Sequence, residues 1–332
     1  MIRVMGSAAH PLVSFVSLAI LLLALTAGCE KSASSSISAI PPADSIDFTF
    51  RRKSAPQPIK IVCTTGMVAD LVRNVGGDEV EVTQLMGAGV DPHLYKASPG
   101  DVAKLSSADM VFFSGWHLEG KMSEFLARLS ASRPSVAVAE GIKSEKLLSD
   151  EQGLHDPHLW FDVQLWSLAA ARVKEALARF DPERAEGYEQ RLADYQKRLE
   201  ELDQYAREKL ATIPPQYRVM VTAHDAFRYF GRAYDLEVRG IQGLSTDSEA
   251  GVRQINELVD FLVARKIKAV FVESSVSDQN MRSLLEGCAA QNHPVVIGGE
   301  LYSDALGSEA SGASTYEGMV RHNVDTIVKA LE

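Results

Sequence analysis

The sequence has no cluster of Lys and Arg, and its net charge is −10, from 34 basic and 44 acidic side chains. Nucleic-acid binding needs a basic surface that neutralises phosphates, so this balance argues against a nucleic-acid partner. The chain also lacks a Gly-x-Ser-x-Gly nucleophile motif and a Gly-Lys-Ser/Thr phosphate-binding loop. Both absences weigh against the common hydrolases and nucleotide-binding enzymes.

Cysteine is scarce, with three residues among 332. Cys63 lies in an apolar strand pattern and Cys288 in a helix pattern, where buried free thiols are the ordinary state. In an oxidising compartment the two could instead form one disulfide, so both alternatives stay open on sequence alone.

The N-terminal apolar run, residues 12–27, is shorter than the roughly 20 residues of a membrane span. It follows Arg3 and ends in Leu-Thr-Ala-Gly-Cys at Cys29, which indicates a secretory signal peptide over residues 1–29. The ending resembles a bacterial lipoprotein cleavage box, although Thr26 stands where Leu is usual. We therefore expect export and lipidation of Cys29, with ordinary secretion and cleavage nearby as the alternative.

A polar segment follows Cys29. Residues 30–57 are rich in serine, contain Pro41, Pro42 and Pro56, and offer little apolar surface to bury. This composition predicts a disordered tether, which would give a membrane-anchored domain its reach.

Strand and helix patterns alternate from residue 58 to the C-terminus, with one long exception. Residues 58–181 and 214–332 each predict a βα lobe with a parallel sheet covered by helices. Within the second lobe we predict a strand at 294–297, ending at Gly298-Gly299. Residues 182–213 predict one amphipathic helix, about 40 Å long, that joins the lobes. Its apolar stripe, with alternating spacings of four and three, consists of Tyr188, Leu192, Tyr195, Leu199, Leu202 and Ala206. A surface helix on one domain is the alternative for this segment.

The pattern Asp-Pro-His-Leu-aromatic occurs twice, beginning at Asp91 and at Asp156. Proline fixes its own φ and restricts the residue before it, so each copy predicts a stiff corner that aims one imidazole. Imidazole is the commonest protein ligand of metals, and a neighbouring carboxylate can orient it. Two copies of the corner therefore favour a metal site, whereas a single copy would indicate only a helix-starting turn.

Four candidate ligands fall at corresponding places in this alternation. His93, His224 and Asp304 each follow a strand pattern, and His158 immediately precedes a helix. Ligands in open α/β sheets bind beyond the carboxyl ends of the strands. Three imidazoles and a carboxylate suit a four-coordinate Zn²⁺ site, with Mn²⁺ also possible. The other histidines have ordinary places. His10 lies in the leader, and we expect His117 to form a hydrogen bond at a strand end and His155 to face solvent. His293 is expected in a turn, and His322 in packing or a polar network.

Motifs along nearly the whole chain after residue 58 resemble those of the metal-specific (cluster A-I, TroA-like and ZnuA-like) solute-binding proteins of bacterial ABC importers. The matching stretches are GVDPHLY at 89–95, ADMV at 108–111, LE at 118–119, DPHLWFD at 156–162, TAHDAF at 222–227, GIQGLST at 240–246, LYSDALG at 301–307 and MVRHN at 319–323.

The resemblance implies a transport protein and not an enzyme. It implies two lobes joined by a rigid long helix, with one metal bound between them by His93 and His158 from the first lobe and His224 and Asp304 from the second. It further implies a monomer that delivers the metal to an ABC permease and its ATPase. Together with lipidated Cys29, this predicts an exported protein anchored in the lipid bilayer on the outer face of the cytoplasmic membrane, in the periplasm or at the cell surface.

The identity of the metal and the class of function leave alternatives. His224 stands where manganese-type members often have Glu, which favours Zn²⁺, but residues 121–155 lack the His-rich run of many zinc-dedicated members, which keeps Mn²⁺ close behind. The rival functions are a mononuclear zinc hydrolase, with Glu119, Glu273 or Glu300 as its base, and a metal-stabilised surface adhesion module.

Overall fold

A four-stranded parallel sheet forms the framework of the N-terminal half. The computed structural model describes residues 58–332, so the predicted signal peptide with Cys29 and the predicted tether lie outside the described residues. The elements of this half are β1 (Ile59–Cys63), α1 (Gly66–Gly76), β2 (Val80–Gln84), α2 (Pro99–Ser107), β3 (Met110–Phe113), α3 (Ser123–Ser130), β4 (Ser135–Ala137) and α4 (Val163–Phe180). The strand order is β2-β1-β3-β4 with every pairing parallel, which confirms the predicted sheet type.

The C-terminal half repeats the parallel pairing in two pairs of strands. Its elements, after the long helix α5 (Ala185–Leu210), are β5 (Val219–His224), α6 (Arg228–Tyr234), β6 (Glu237–Gln242), α7 (Val252–Arg265), β7 (Ala269–Glu273), α8 (Gln279–Ala290), β8 (Val296–Leu301) and α9 (Tyr316–Leu331). Strand β5 pairs with β6 and β7 pairs with β8, while β5 lies beside β7. The carboxyl ends of β5 and β7 therefore meet at one edge.

Strand β8 corrects the sequence prediction that this strand would end at Ile297, before Gly298-Gly299. It continues through both glycines to Leu301. A Cβ on Gly298 would lie 2.7 Å from the Ala330 side chain, and one on Gly299 would lie 2.3 Å from that of Thr326. The two glycines therefore allow helix α9 to pack closely on the strand, and they do not form a turn.

Helix α5 confirms the predicted long helix and its buried face. It has 26 residues, is preceded by a 3-10 turn at Pro182–Arg184, and buries every residue of the predicted stripe. It packs against α1, α4 and α9, and one hydrophobic core continues through it from the N-terminal sheet to the C-terminal half. None of the helices in residues 58–332 combines the length and the apolar character that a membrane span requires.

The two cysteines of the described chain are free thiols. Cys63 and Cys288 are both buried in hydrophobic clusters, so the structure supports the first of the two sequence alternatives. Burial raises the pKa of both thiols, because the thiolate would lose its hydration. Both side chains therefore act as small apolar groups in the core.

A buried carboxyl group joins the first and last helices of the described chain. Asp70 of α1 is 8% exposed, and its Oδ2 accepts the backbone N–H of Tyr316 and the side-chain amide of Asn74. Burial raises the pKa of Asp70 to about 6, although the Tyr316 N–H and the charge of Arg73 oppose the shift. The native state therefore holds a proton on Asp70 at a pH at which the unfolded chain has lost it.

We expect the substitution Asp70→Asn to change how stability depends on pH. Between pH 4 and 6 the native wild type binds more protons at Asp70 than the unfolded chain, so this group's contribution to stability falls as pH rises. From pH 4 to pH 8, the wild type should therefore lose about 2 kcal/mol of unfolding free energy relative to the variant. Urea unfolding of both proteins at the two pH values measures this change, and a constant difference would contradict it.

Candidate metal centre

Four buried side chains bring their donor atoms together between the two halves of the molecule. His93, His158 and His224 are 3%, 0% and 0% exposed and Asp304 is 1% exposed. Their ligand atoms all lie within 4.8 Å of one another, an arrangement that could hold a metal ion. The structure thus brings together the four residues that the sequence analysis selected, although up to 211 positions separate them along the chain.

The separations among these atoms fit a small four-coordinate cation. His158 Nε2 lies 3.4 Å from the Nε2 atoms of both His93 and His224. The Asp304 carboxylate oxygens lie 3.6, 3.5 and 3.2 Å from Nε2 of His93, His158 and His224. Donors placed tetrahedrally about 2.0–2.1 Å from an ion are roughly 3.3–3.4 Å apart. Both Asp304 oxygens are buried and have only the three candidate imidazoles within ion-pair distance among the described residues, so a cation held by the same imidazoles would satisfy them.

The second Asp-Pro-His corner is locked in the protein interior. Oδ1 of Asp156 accepts the backbone N–H of His158 at 3.0 Å and its Nδ1–H at 2.8 Å. This bond fixes the tautomer that leaves Nε2 free for a metal. The following Trp160 donates its indole N–H to the carbonyl of Ser303, so the His158 corner is bonded to the residue before Asp304.

A carboxylate from a different strand orients His224. His224 is the last residue of β5 and Glu273 the last residue of the neighbouring β7. The two Glu273 oxygens accept the backbone N–H of His224 at 2.9 Å and its Nδ1–H at 2.6 Å. The sequence analysis offered Glu273 only as a possible base, but its place at the end of a buried strand pattern was a usable signal for this role.

The first Asp-Pro-His corner is built differently, despite the shared pattern. Asp91 Oδ1 accepts the backbone N–H of His93 at 2.8 Å, but none of the hydrogen bonds among residues 58–332 joins Asp91 to the His93 ring. Leu94 is 45% exposed, whereas its counterpart Leu159 is fully buried. Asp156 therefore holds the ring of its histidine directly, whereas Asp91 holds only the backbone of its own.

Charges within the centre shift its titrations in opposite directions. Burial lowers the pKa of His93 to about 3, against the attraction of Asp304. Burial also lowers the pKa of His224, but Glu273 and Asp304 more than offset this effect and hold that pKa well above its usual value. Burial raises the pKa of Asp304, and the neighbouring imidazoles, His224 foremost, lower it more, so this pKa ends below its usual range. Asp304 is therefore an anionic donor, and a proton on His224 competes with any metal for Nε2.

The other histidines of the described chain lie apart from these four. His117 is exposed with a φ of 63°, and His155 bonds to Ser149 with its ring against Trp116. The expectation that His155 faces solvent is therefore wrong. His293 and His322 bond to the carbonyls of Ile267 and Glu300, as expected for turn and polar-network residues.

The carboxylates considered as hydrolytic bases have structural surroundings. Glu119 is 2% exposed and accepts hydrogen bonds from the Thr64 hydroxyl and from the N–H groups of Ser114 and Gly115. Glu273 holds His224, as described above. Glu300 lies on strand β8 with an exposed side chain. Each of them is thus accounted for without catalysis.

Comparisons with known proteins agree with this geometry. The family model described as ZnuA, zinc-uptake complex component A periplasmic, matches residues 61–330. The manganese-binding lipoprotein MntA of Bacillus subtilis (strain 168) is 49% identical over 281 residues, which cover 84% of this chain and 92% of MntA. The zinc-binding protein TroA of Treponema pallidum (strain Nichols) is 48% identical over 271 residues, which cover 82% of this chain and 88% of TroA.

A solved structure shows that the similarity extends to the fold. The periplasmic zinc-binding protein TroA from Treponema pallidum aligns with a TM-score of 0.81 and 47% identity, covering 82% of this chain and 99% of TroA. Neither the hydrolase nor the adhesion alternative finds support among these matches. The chain belongs to the ZnuA/TroA family, the metal-binding solute-binding proteins of ABC importers, which are not enzymes.

Proposed function

We propose that His93, His158, His224 and Asp304 capture a divalent transition metal, which the protein then delivers to an ABC permease and its ATPase for uptake. The observation that carries the proposal is the buried cluster of three imidazoles and one carboxylate, whose ligand atoms lie within 4.8 Å of one another. Four protein donors complete a coordination sphere and leave no position for a reactive water, which suits transport of the ion as cargo.

Zinc is the metal that the donor set favours, with manganese second. Three nitrogens and one oxygen suit Zn²⁺, whereas Mn²⁺ prefers more oxygen donors and a larger coordination number. The names of the relatives do not decide the question, because MntA, a manganese-binding protein, and TroA, a zinc-binding protein, are 49% and 48% identical to this chain.

The proposed organisation follows from the long helix and the N-terminal motifs. Residues 58–181 and 214–332 form the two metal-binding lobes, and residues 182–213, which contain α5, connect them. The continuous core through α5 supports a stiff connection between the lobes. The protein acts as a monomer outside the cytoplasm, anchored to the membrane by a lipid on Cys29, with residues 30–57 as its tether. Relatives named as lipoproteins support this anchoring.

Competition between the two metals tests the function and the metal together. Chelator-stripped protein is titrated calorimetrically with Zn²⁺ and with Mn²⁺, and the metals are then exchanged against each other. We expect one ion per chain and at least about tenfold tighter binding of Zn²⁺, equivalent to about 1.4 kcal/mol. Tighter binding of Mn²⁺ would overturn the choice of zinc, and no binding of either metal would overturn the site. Normal uptake of both metals by a deletion strain under metal starvation would argue against the transport role.

A further inference from the structure

One motif of the sequence, GIQGLST at 240–246, supplies none of the four donors of the metal centre described above. Its second part begins a loop of residues 243–250, which we call the cleft loop. The base of this loop is attached to the strand end that carries His224. His224 pairs with Gln242 in the register of β5 and β6, and the Gly243 carbonyl accepts the backbone N–H of Asp225 at 3.2 Å.

The tip of the cleft loop reaches the N-terminal half of the molecule. The Thr246 hydroxyl donates a hydrogen bond of 2.6 Å to Oδ2 of Asp91. The other Asp91 oxygen accepts the backbone N–H of His93, so one carboxylate links Thr246 to the candidate ligand. The adjacent Asp247 forms an ion pair of 2.6 Å with Lys121. The cleft loop therefore spans the cleft between the segments that carry His224 and His93.

The cleft loop presents Thr246 from a base fixed on the C-terminal half. The Gln242 side-chain amide donates to the Ser248 carbonyl at 3.1 Å, and the Asn280 amide donates to the Glu249 carboxylate at 3.2 Å. Thr246 itself is only 8% exposed, in contrast to the exposed Asp247 beside it. The Thr246 side chain is thus shielded from water while Asp91 is half-buried, and hydrogen bonds to carboxylates are stronger than those between neutral groups.

The two histidine corners are held by different numbers of hydrogen bonds across the cleft. The His158 corner is held by the buried bonds of Asp156 and by the Trp160–Ser303 bond, and the Tyr229 hydroxyl also donates to the Asp156 carbonyl. Two of these bonds, from Trp160 and from Tyr229, cross the cleft, whereas the Asp91 side chain bonds across the cleft to Thr246 alone among the described residues. The position of His93 should therefore respond to this bond, whereas that of His158 should not.

We propose that the cleft loop is a latch and that Thr246 is a positioning residue, acting through Asp91 to hold His93 against the bound metal and so to slow metal release. This inference rests on the proposed function, because it assigns a role in the retention of the captured ion. Opening the latch frees the His93 corner and leaves the other three donors in place. Release of the ion then begins at His93.

The test compares Thr246→Val with Thr246→Ser in the full chain. Valine keeps the size of the side chain and removes the hydroxyl, whereas serine keeps the hydroxyl. Each protein is loaded with Zn²⁺, and release to an excess of chelator is followed by stopped flow. We expect release from Thr246→Val to be about 10–100-fold faster than from wild type, the equivalent of one hydrogen bond to a charged group, and release from Thr246→Ser to stay within about threefold.

A double-mutant cycle with Asp91→Ala separates the latch from a general weakening of the fold. If Thr246 acts through Asp91, adding Thr246→Val to the Asp91→Ala protein should accelerate release less than about twofold further. Equal acceleration in both backgrounds would overturn the latch, as would wild-type release from Thr246→Val.

The substitution Lys121→Gln removes a second contact of the same loop and serves as a comparison. Its partner Asp247 is exposed, so this variant should change release less than about threefold, and less still in high salt. A larger effect of Lys121→Gln than of Thr246→Val would overturn the assignment to Thr246. Failure of the wild type to bind either Zn²⁺ or Mn²⁺ would overturn the proposed function and the latch together, whereas normal binding with unchanged release overturns the latch alone.

Discussion

Replacing His224 by alanine should lower the affinity for Zn²⁺ by more than about 100-fold, beyond the usual cost of losing a residue that merely supports a ligand. His224 contributes one of four donors, and its Nε2 lies 3.4 Å from that of His158 and 3.2 Å from the Asp304 carboxylate. The substitution also leaves the buried Glu273 without the ring that occupies its Oε2. Calorimetric titration of the chelator-stripped variant measures the loss.

The matched control is His322→Ala. His322 bonds to the Glu300 carbonyl and packs on Tyr302, away from the four donors, so its loss should leave Zn²⁺ affinity within about threefold of the wild type. Comparing the two variants separates the loss of a ligand from the general cost of removing an imidazole. A His224→Ala protein that retains its fold and binds Zn²⁺ like the control would refute the four-donor assignment.

The candidate ligands could be found from sequence because each follows a local rule. Proline corners mark His93 and His158, strand patterns precede His224 and Asp304, and the family resemblance selected the same four residues. The partners of these residues were harder to find, since they come from other strands and loops. Glu273 reaches His224 from the end of a neighbouring strand in another strand pair, and nothing near Asp91 in the sequence points to Thr246, 155 positions away.

Predictions from local sequence patterns failed where packing between elements decides the backbone conformation. Strand β6 was not predicted, since Arg239 and Gly240 interrupt its apolar pattern, yet it pairs with β5 along its length. The Gly298-Gly299 pair reads as a turn but lies within β8, where helix α9 leaves no room for side chains. Glycine permits both a turn and a close approach, and only the tertiary structure separates the two uses.

The donors of the candidate centre are not all held in the same way. The shared core that runs through helix α5 holds the His158 corner, and Glu273 at the end of the neighbouring strand β7 holds His224 at the end of β5. The corner that carries His93 depends on a loop contact instead. On the latch proposal, a centre in which His158 and His224 are held by the fold and His93 is adjustable can hold an ion tightly and still release it by movement of a single corner.

The position of His224 depends on a close approach between the backbones of Gly240 and of the His224–Asp225 strand end. We expect the substitution Gly240→Ala to disrupt this approach. A Cβ on Gly240 would lie 2.3 Å from the backbone N of Asp225 and 2.5 Å from the carbonyl carbon of His224, closer than side chains approach a backbone. The strand end that carries His224 must then move. We expect a loss of about 1–3 kcal/mol in unfolding free energy and a fall of at least about tenfold in Zn²⁺ affinity, because donors must stay within about 0.5 Å of their places.

Gly243→Ala is the control for this substitution, because it adds the same methyl group three residues further along the same segment. A Cβ on Gly243 would meet no atom within 4 Å, and the carbonyl that accepts the Asp225 N–H is retained. Urea unfolding without metal and calorimetric titration with Zn²⁺ should therefore place Gly243→Ala near the wild type and Gly240→Ala well below it. Coincident unfolding curves and equal affinities for the two variants would show that β5 can yield at Gly240 without moving His224, and that the geometry of the centre does not depend on this approach.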